Sequence, residues 1–362
     1  MRVAFVGCTH GDLDVIYEEI QNRDVADGQN TELLICPGDF QACRDATDMR
    51  DMKMPEKYRV MKDFGRYYRG EAVAPVLTLF VGGNHEASGH LLELPHGGWV
   101  THNMYYLGHM GVVRLPSGLS VAGLSGIYKP YDYNRGFVER APLSEKDKVS
   151  ALHVRKFAAD VLSTYPHSVD ILVTHDWPRG IEQHGDLETL LKRKPFFRQD
   201  IERGELGSPA AHQCMVALRP QVHSAAHLHV RFEAEFDHQE STTNFLALDK
   251  PGHRRNFLDI REITPRSPPL SPWPASALAI DGAWVEVVRA CLPATPHTQM
   301  ACYSLPSLLQ PTDSAPTTPS WGTAPPPASE STHQQTLWFR RLAGLDPEAE
   351  QSEEIDMDQF LF

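Results

Sequence analysis

At 362 residues, with 41% hydrophobic side chains, the chain has apolar content enough for one large domain or two smaller ones. Its formal net charge of −13 excludes a protein that coats nucleic acid through a uniformly basic surface. Seven acidic and no basic residues fall in 346–362, so the remainder carries only −6, which leaves room for a local basic groove.

From residue 1 to about 250, apolar strands alternate with amphipathic or polar segments, the pattern of an α/β layered domain. Strands are expected at VAFVG, ELLICP, PVLTLFVG, VDILVT and QVHSAA. Three more, at 104–108, 111–115 and 119–124, are separated by turn residues and suggest a second, antiparallel portion. A helix is expected over 148–163, where Val149, Leu152, Phe157 and Leu162 lie near one face. NFLALDK at 244–250 and FLDIRE at 257–262 read as closing strands, and AWVEVVRA at 283–290 as a further apolar element.

Composition then shifts: 14 of the 28 prolines lie between 264 and 330. The Pro/Ser/Thr-rich stretch 303–333 cannot bury a core and is expected to be a disordered linker. A short helix over 334–345 follows, which Phe339 and Leu342 are expected to dock on the body, and then the acidic tail 346–362. The six cysteines (Cys8, Cys36, Cys43, Cys214, Cys291, Cys302) show no paired spacing, and MRVAFVGC reads as a first strand rather than a signal peptide. Free thiols in a reducing compartment are expected. No run reaches the roughly 18 apolar residues of a membrane span.

Five segments end an expected strand with metal-ligand residue types: Cys8-Thr9-His10, Gly38-Asp39, Gly83-Asn84-His85-Glu86, Thr174-His175-Asp176 and His227-Leu228-His229. Strand ends of an α/β sheet are where ligands collect. Taken singly, each has an ordinary reading as a turn or a structural histidine; five together point to a divalent-metal site for phosphate-ester hydrolysis. Such chemistry uses metals about 3.5–4 Å apart to bind hydroxide and clamp the phosphate. Asp39 suits a bridging carboxylate, and His10, Asn84, His175, His227 and His229 suit terminal ligands. His85, beside Asn84, is left free to act as general acid.

The order of these blocks resembles the calcineurin-like metallophosphoesterase superfamily, whose pattern runs Asp-x-His, Gly-Asp, Gly-Asn-His-Asp/Glu, a lone His and Gly-His-x-His. Two positions depart from it: Cys8 stands where Asp is expected, and Ala226 replaces the Gly before His227. Cys8 has two open readings. One is a thiolate ligand that favours Zn(II) or Fe(II) over Mg(II); the other is a small buried residue beside a weakly filled site.

Within that superfamily the chain is similar to the RNA lariat debranching enzymes. Cys-Thr-His, Gly-Asp-Phe-Gln, GGNHEASGHLLELPHGGWV, SGIYKPYDYNRG, THDWPRGI, KPFFRQDIERGELGSPAA, AHLHVRFEA and NFLALDK carry that resemblance over residues 1–262, and QQTLWFRRLAGL resembles the family's C-terminal end. It implies an α/β fold: a β-sandwich flanked by helices (α/β/β/α) with a small C-terminal region. It also implies a catalytic domain over 1–250 and a C-terminal lariat-debranching region over 251–302. The activity implied is hydrolysis of the 2′-5′ phosphodiester at the branch point of an intron lariat. No free neighbouring hydroxyl exists there, so a metal-activated hydroxide must attack while His85 protonates the leaving 2′ oxygen.

Carried over, one metal is placed among Cys8, His10, Asp39 and His229, and another among Asp39, Asn84, His175 and His227. The cofactor expected is one or two divalent ions, Fe(II), Zn(II) or Mn(II). The insertion at about 124–154 resembles the family's lariat recognition loop, where Tyr128, Lys129, Tyr131, Tyr133 and Arg135 suit stacking on bases and holding phosphates. The partner implied is branched intron RNA in the nucleus, although Arg254-Arg255 and Arg340-Arg341 are too short to count as an import signal. The acidic tail reads first as a solvated tail, with a partner-binding motif around Phe360 and Phe362 as the alternative. Two other readings compete: a generic phosphodiesterase or phosphatase, and a scaffold with a decayed metal site.

Overall fold

The computed structural model describes residues 1–54, 59–270, 278–292 and 331–345. Residues 303–330 of the linker expected over 303–333, the acidic tail and Cys302 lie outside these residues, and the expected linker's last residues instead open the C-terminal helix.

Strands such as Leu33–Cys36 and Ile171–Thr174 are buried along their whole length, as parallel strands covered on both faces must be. They build two sheets. The first has the order β12-β1-β2-β3-β5-β4, with β1 Arg2–Val6, β2 Leu33–Cys36, β3 Leu77–Phe80, β4 Gly98–Thr101, β5 Met104–Tyr106 and β12 Leu258–Glu262. The second runs β10-β11-β9-β8-β7-β6-β13, with β6 Met110–Arg114, β7 Ser120–Leu124, β8 Ile171–Thr174, β9 Val222–Ala225, β10 Phe232–Asp237, β11 Thr242–Ala247 and β13 Ala279–Ile280. β1, β2, β3 and β5 are parallel neighbours, as are β7, β8, β9 and β11.

Alternation along the first sheet divides its side chains between two cores. Val3, Phe5, Leu33, Ile35, Leu79 and Val81 join the core shared with the second sheet. Ala4, Val6, Leu34, Cys36 and Phe80 face the other way, onto Leu13, Ile16, Tyr17 and Ile20 of helix Leu13–Asp27. Helices Lys156–Ser163 and Pro209–Leu218 pack on each other and on the second sheet. The layers are therefore helix, sheet, sheet, helix, as expected. Each leucine buried between them contributes roughly 1.5–3 kcal/mol.

Three sequence expectations change. The strands at 104–108, 111–115 and 119–124 do not form one antiparallel unit: β5 joins the first sheet, and only β6 and β7 pair antiparallel in the second. The helix expected over 148–163 is broken into Asp147–Ser150 and Lys156–Ser163. Between them, the Ile127 N–H donates to the Leu152 carbonyl and the Val154 N–H to the Ile127 carbonyl, at 2.9 Å each. This tertiary pairing outweighs helical periodicity. Finally, the edge strand β12, beyond residue 250, pairs with β1 from Arg2↔Glu262 to Val6↔Leu258, so the first sheet continues past the expected domain end.

The C-terminal helix spans Thr332–Leu342 and opens with a capping box between Ser331 and Gln334. Phe339 is buried and stacks on His96 with ring centroids 4.9 Å apart, and Leu342 packs on the same core. Gln335 receives the Trp99 N–H at 2.7 Å and donates to the Trp99 carbonyl at 3.0 Å, a side-chain amide lying along the outer strand β4. The cysteines at 8, 36, 43, 214 and 291 are free and buried. Among the described residues no helix is long and apolar enough to cross a membrane.

Candidate metal centre

All five segments leave the C-terminal ends of parallel strands: Cys8 after β1, Asp39 after β2, Asn84 after β3, His175 after β8, His227 and His229 after β9. The two sheets thus deliver their donors to one place. To turn so sharply, His10, Asp39, Gln41, His227 and His229 take positive φ values between 47° and 60°. Left-handed backbone in residues other than glycine is strained and persists where the surroundings hold it. Here the holders are visible. The His10 N–H (2.8 Å) and the Thr9 hydroxyl (2.9 Å) both donate to the Asp39 carbonyl, and the His227 N–H donates to the Cys8 sulfur at 3.1 Å. Ala226 is not among the positive-φ residues, so its methyl group is accommodated.

Asp39 lies at the centre, 1% exposed. On one side, the ligand atoms of Cys8, His10, Asp39 and His229 all lie within 4.8 Å of one another. The Nε2 atoms of His10 and His229 are 3.1 Å apart, and His10 Nε2 is 3.8 Å from Asp39 Oδ2. On the other side, His175 Nε2 stands 3.4 Å from Asp39 Oδ1 and 3.1 Å from Asn84 Oδ1, and the His175 and His227 rings are 5.0 Å apart. Cys8, His10, Asn84, His175, His227 and His229 are thus gathered around the Asp39 carboxylate.

The donor chemistry fits a cation. His175 Nδ1 lies 2.7 Å from the Pro37 carbonyl, which only accepts, so Nδ1 carries the proton and Nε2 presents a lone pair. Burial above all holds this histidine down at about 4, hence neutral at pH 7. Its lone pair faces oxygens of Asp39 and Asn84, and a divalent ion bound there would satisfy all three. Burial likewise drives His229 down to about 3 and lowers His10. Burial pushes Asp39 up, but His175, His10, His85 and His227 together bring it below the ordinary carboxylate range. Burial and the neighbouring Asp39 push the Cys8 thiol well up, so coordination there must displace its proton. The cradle is tight: a Cβ at Gly83 would lie 2.3 Å from Asp39 N and Oδ1, and one at Gly38 would lie 2.3 Å from His175 Nδ1.

His85 donates its backbone N–H to Asp39 Oδ1 at 2.8 Å, and its ring centroid lies 5.7 Å from that of His10. The ring lines an open cleft of about 530 Å³ with His10, Gln41, Lys62, His229 and Lys250. Sequence reading passed over Lys250 and gave Glu86 no role of its own. Lys250 follows β11 as the ligands follow their own strands, so the same strand-end logic applied to NFLALDK would have found it. Glu86 is completely buried and accepts the N–H groups of Gly83 (2.9 Å), Phe40 (2.7 Å) and Gln41 (2.7 Å), tying two ligand loops together. Burial and Asp39 push it up to about 8, with the three N–H groups acting against them.

The residues expected in the recognition loop lie along one flank, Tyr128–Arg135, in different surroundings. Tyr128 donates its N–H to Asp176, next to His175, packs edge-on against Tyr133 at 5.1 Å, and has the Arg179 guanidinium 5.0 Å from its ring. Tyr131 is 69% exposed. Arg135 is paired with Asp132 at 2.6 Å, which in turn holds His153 at 2.7 Å. Lys129 is half-buried at the start of the helical turn Pro130–Tyr133.

The family model of calcineurin-like phosphoesterases matches residues 1–231, and that of the C-terminal domain of lariat debranching enzymes matches residues 240–346. The chain belongs to the lariat debranching enzyme family of calcineurin-like phosphoesterases. It is similar to the lariat debranching enzyme of Danio rerio, 45% identical over 296 residues (80% of this chain, 51% of the relative). To the human lariat debranching enzyme it is 46% identical over 297 residues (80% and 54%), and to that of Arabidopsis thaliana 44% over 291 residues (80% and 68%). The chain spans about half the length of the first two of these curated debranching enzymes. Membership of this phosphoesterase family implies use of a divalent metal.

Proposed function

We propose that this chain is a metal-dependent RNA 2′-5′ phosphodiesterase that debranches excised intron lariats to linear introns. The observation that carries the reading is the arrangement of two donor groups on the two oxygens of Asp39, with His85 facing the open cleft above them. Cys8, His10, Asp39 and His229 would hold one ion, and Asp39, Asn84, His175 and His227 the other. Divalent ions in these positions supply a nucleophile from water at neutral pH and neutralise charge on the phosphoryl oxygens.

The chain's own groups do the rest. Glu86 fixes the loops that carry Asp39 and Asn84. Lys250, beside His10 and His229 on the cleft wall, adds positive charge where the phosphate enters. His85 protonates the departing branch-point 2′ oxygen, a job that a positioned imidazole is suited to near neutral pH. The buried Cys8 sulfur favours Fe(II) or Zn(II), with Mn(II) as the harder alternative. The Tyr128–Arg135 flank would contact the RNA around the branch. Because lariats arise in splicing, the nucleus is the location this reading implies.

The test is cleavage of a synthetic branched RNA with one 2′,5′ linkage beside a linear 3′,5′ control, with Fe(II), Zn(II) and Mn(II) in turn. Selective release of the 2′-linked branch supports debranching and ranks the metals. Equal cleavage of both RNAs would favour a general phosphodiesterase. No cleavage by folded, metal-loaded protein would favour a scaffold.

A further inference from the structure

A second groove, of about 440 Å³, is also lined by His229. Its walls carry Arg193 and Lys194 from the end of helix Leu187–Arg193, Arg231 after β9, and Arg254 and Arg255 from the loop leading to β12. Asp249 is the carboxylate among its lining residues. In a chain of net charge −13, five cations around a groove that abuts the metal ligands are out of keeping with the rest of the molecule. Two are already matched: Arg231 to Glu233 and Asp259, and Arg255 to Asp249. Arg193, Lys194 and Arg254 form no ion pair among the described residues, and Arg193 and Arg254 are exposed. Unmatched cations along a groove fit a polyanion.

Beside them stands an aromatic face. Phe196 is 68% exposed, and the Lys194 ammonium lies 5.8 Å from its ring centroid. Cations interleaved with an exposed ring are what a single strand needs: phosphates along the groove and a base on the ring. The groove shares His229 with the cleft that holds His85 and Lys250, so a chain lying in it starts at the reacting centre.

We propose that the groove between Arg193-Lys194 and Arg254-Arg255, with Phe196 at its edge, holds one single-stranded arm of the branched RNA as it leaves the metal centre. This rests on the debranching reading. A branch point has three arms, and this groove shares only His229 with the lining of the Lys62–Lys250 cleft and no residue with the Tyr128–Arg135 flank.

The experiment compares branched RNAs whose three arms are lengthened one at a time from a single nucleotide. It measures kcat/KM for the full chain and for Arg193→Ala/Arg254→Ala. Lengthening one arm is expected to raise kcat/KM for the unaltered chain about 10-fold, and the double variant should lose that gain. Its log(kcat/KM) should also fall less steeply with log salt, by roughly 1.4 for two lost contacts at about 0.7 each on a single strand. A control, Arg50→Ala/Arg69→Ala, removes two exposed arginines elsewhere and should keep the gain. The proposal is overturned if no arm gives a gain, if the gain survives in the groove variant, or if the control loses it equally. Should the unaltered chain cleave no branched RNA while hydrolysing a small aryl phosphodiester, the debranching reading fails and this inference falls with it.

Discussion

The backbone N–H of His227 donates to the sulfur of Cys8 at 3.1 Å, so the first and last ligand segments of the chain are fastened through the atom that departs from the superfamily pattern. The same sulfur lies in the cluster with His10, Asp39 and His229. Cys8→Asp exchanges a soft donor for hard oxygens. Its ratio of Zn(II) to Mn(II) affinity should fall by roughly 10-fold or more. Titration of each metal into the metal-free protein checks this, and an unchanged ratio would mean that the sulfur is not a ligand.

His85→Ala should lower kcat on branched RNA by roughly 10²–10⁴-fold, the range expected for a lost general acid. Metal content should stay near that of the unaltered chain, because His85 meets Asp39 through its backbone N–H, which alanine keeps, and its side chain lines the cleft. An aryl phosphodiester, whose leaving group needs no proton, should be cleaved almost as fast by the variant. Equal losses on both substrates would assign His85 another role.

Glu86→Gln keeps the size of the side chain but puts an NH2 where backbone N–H groups now converge from Gly83, Phe40 and Gln41. One of these donors then meets another donor. A loss of roughly 1–3 kcal/mol in unfolding free energy is expected, the cost of leaving a buried donor unsatisfied. Metal affinity should weaken with it, since Asp39 and Asn84 sit on the loops that Glu86 ties. Urea titration of the metal-free chain separates the two effects.

His223 provides a pH prediction. It is fully buried on β9, its Nε2 lies 2.8 Å from the Thr174 hydroxyl, and that hydroxyl donates to the Asp176 carbonyl. Nε2 therefore carries the proton, and burial drives the group down from 6.5 to about 3. Below 6.5 the unfolded chain binds a proton that the folded chain refuses. The stability linked to His223 is thus complete above pH 6.5 and lost as the pH falls from 6.5 toward 3, at up to ~1.4 kcal/mol per pH unit. His223→Gln should show a flatter decline between pH 6.5 and 5 in urea midpoints. Parallel declines would contradict this.

Gly83 has no room for a side chain: a Cβ would lie 2.3 Å from Asp39 N and 2.7 Å from His175 Cε1. Gly83→Ala must push Asp39 away from one donor group or the other. Metal stoichiometry should drop while far-ultraviolet circular dichroism stays unchanged.

Much of the site was legible because its signal is local. Each ligand segment directly follows an apolar run, so reading strand ends was enough to collect His10, Asp39, Asn84, His175, His227 and His229, and the fold needed only to bring those ends together. What stayed hidden depends on distant partners. Periodicity placed Leu152 on a helix because nothing nearby shows that Ile127 pairs with it. Three neighbouring strands looked like one unit because hydrophobic pattern does not say which sheet a strand joins, and β5 found β3. Glu86 looked like part of a ligand motif, whereas its partners are backbone N–H groups from another loop. Arg193 and Arg254 stand 61 positions apart, and only the folded chain puts them on one groove.

The pairing of Gln335 with Trp99 bears on how the molecule behaves among its copies. β4 is the last strand of the first sheet, and an open sheet edge is a template on which a strand from another molecule can be added. Gln335 occupies the N–H and the carbonyl of Trp99 with one amide, while the helix that carries it lies over the strand. A chain cut before 331 would keep every ligand of the metal centre but present that edge bare, and self-association would become the fault that limits it.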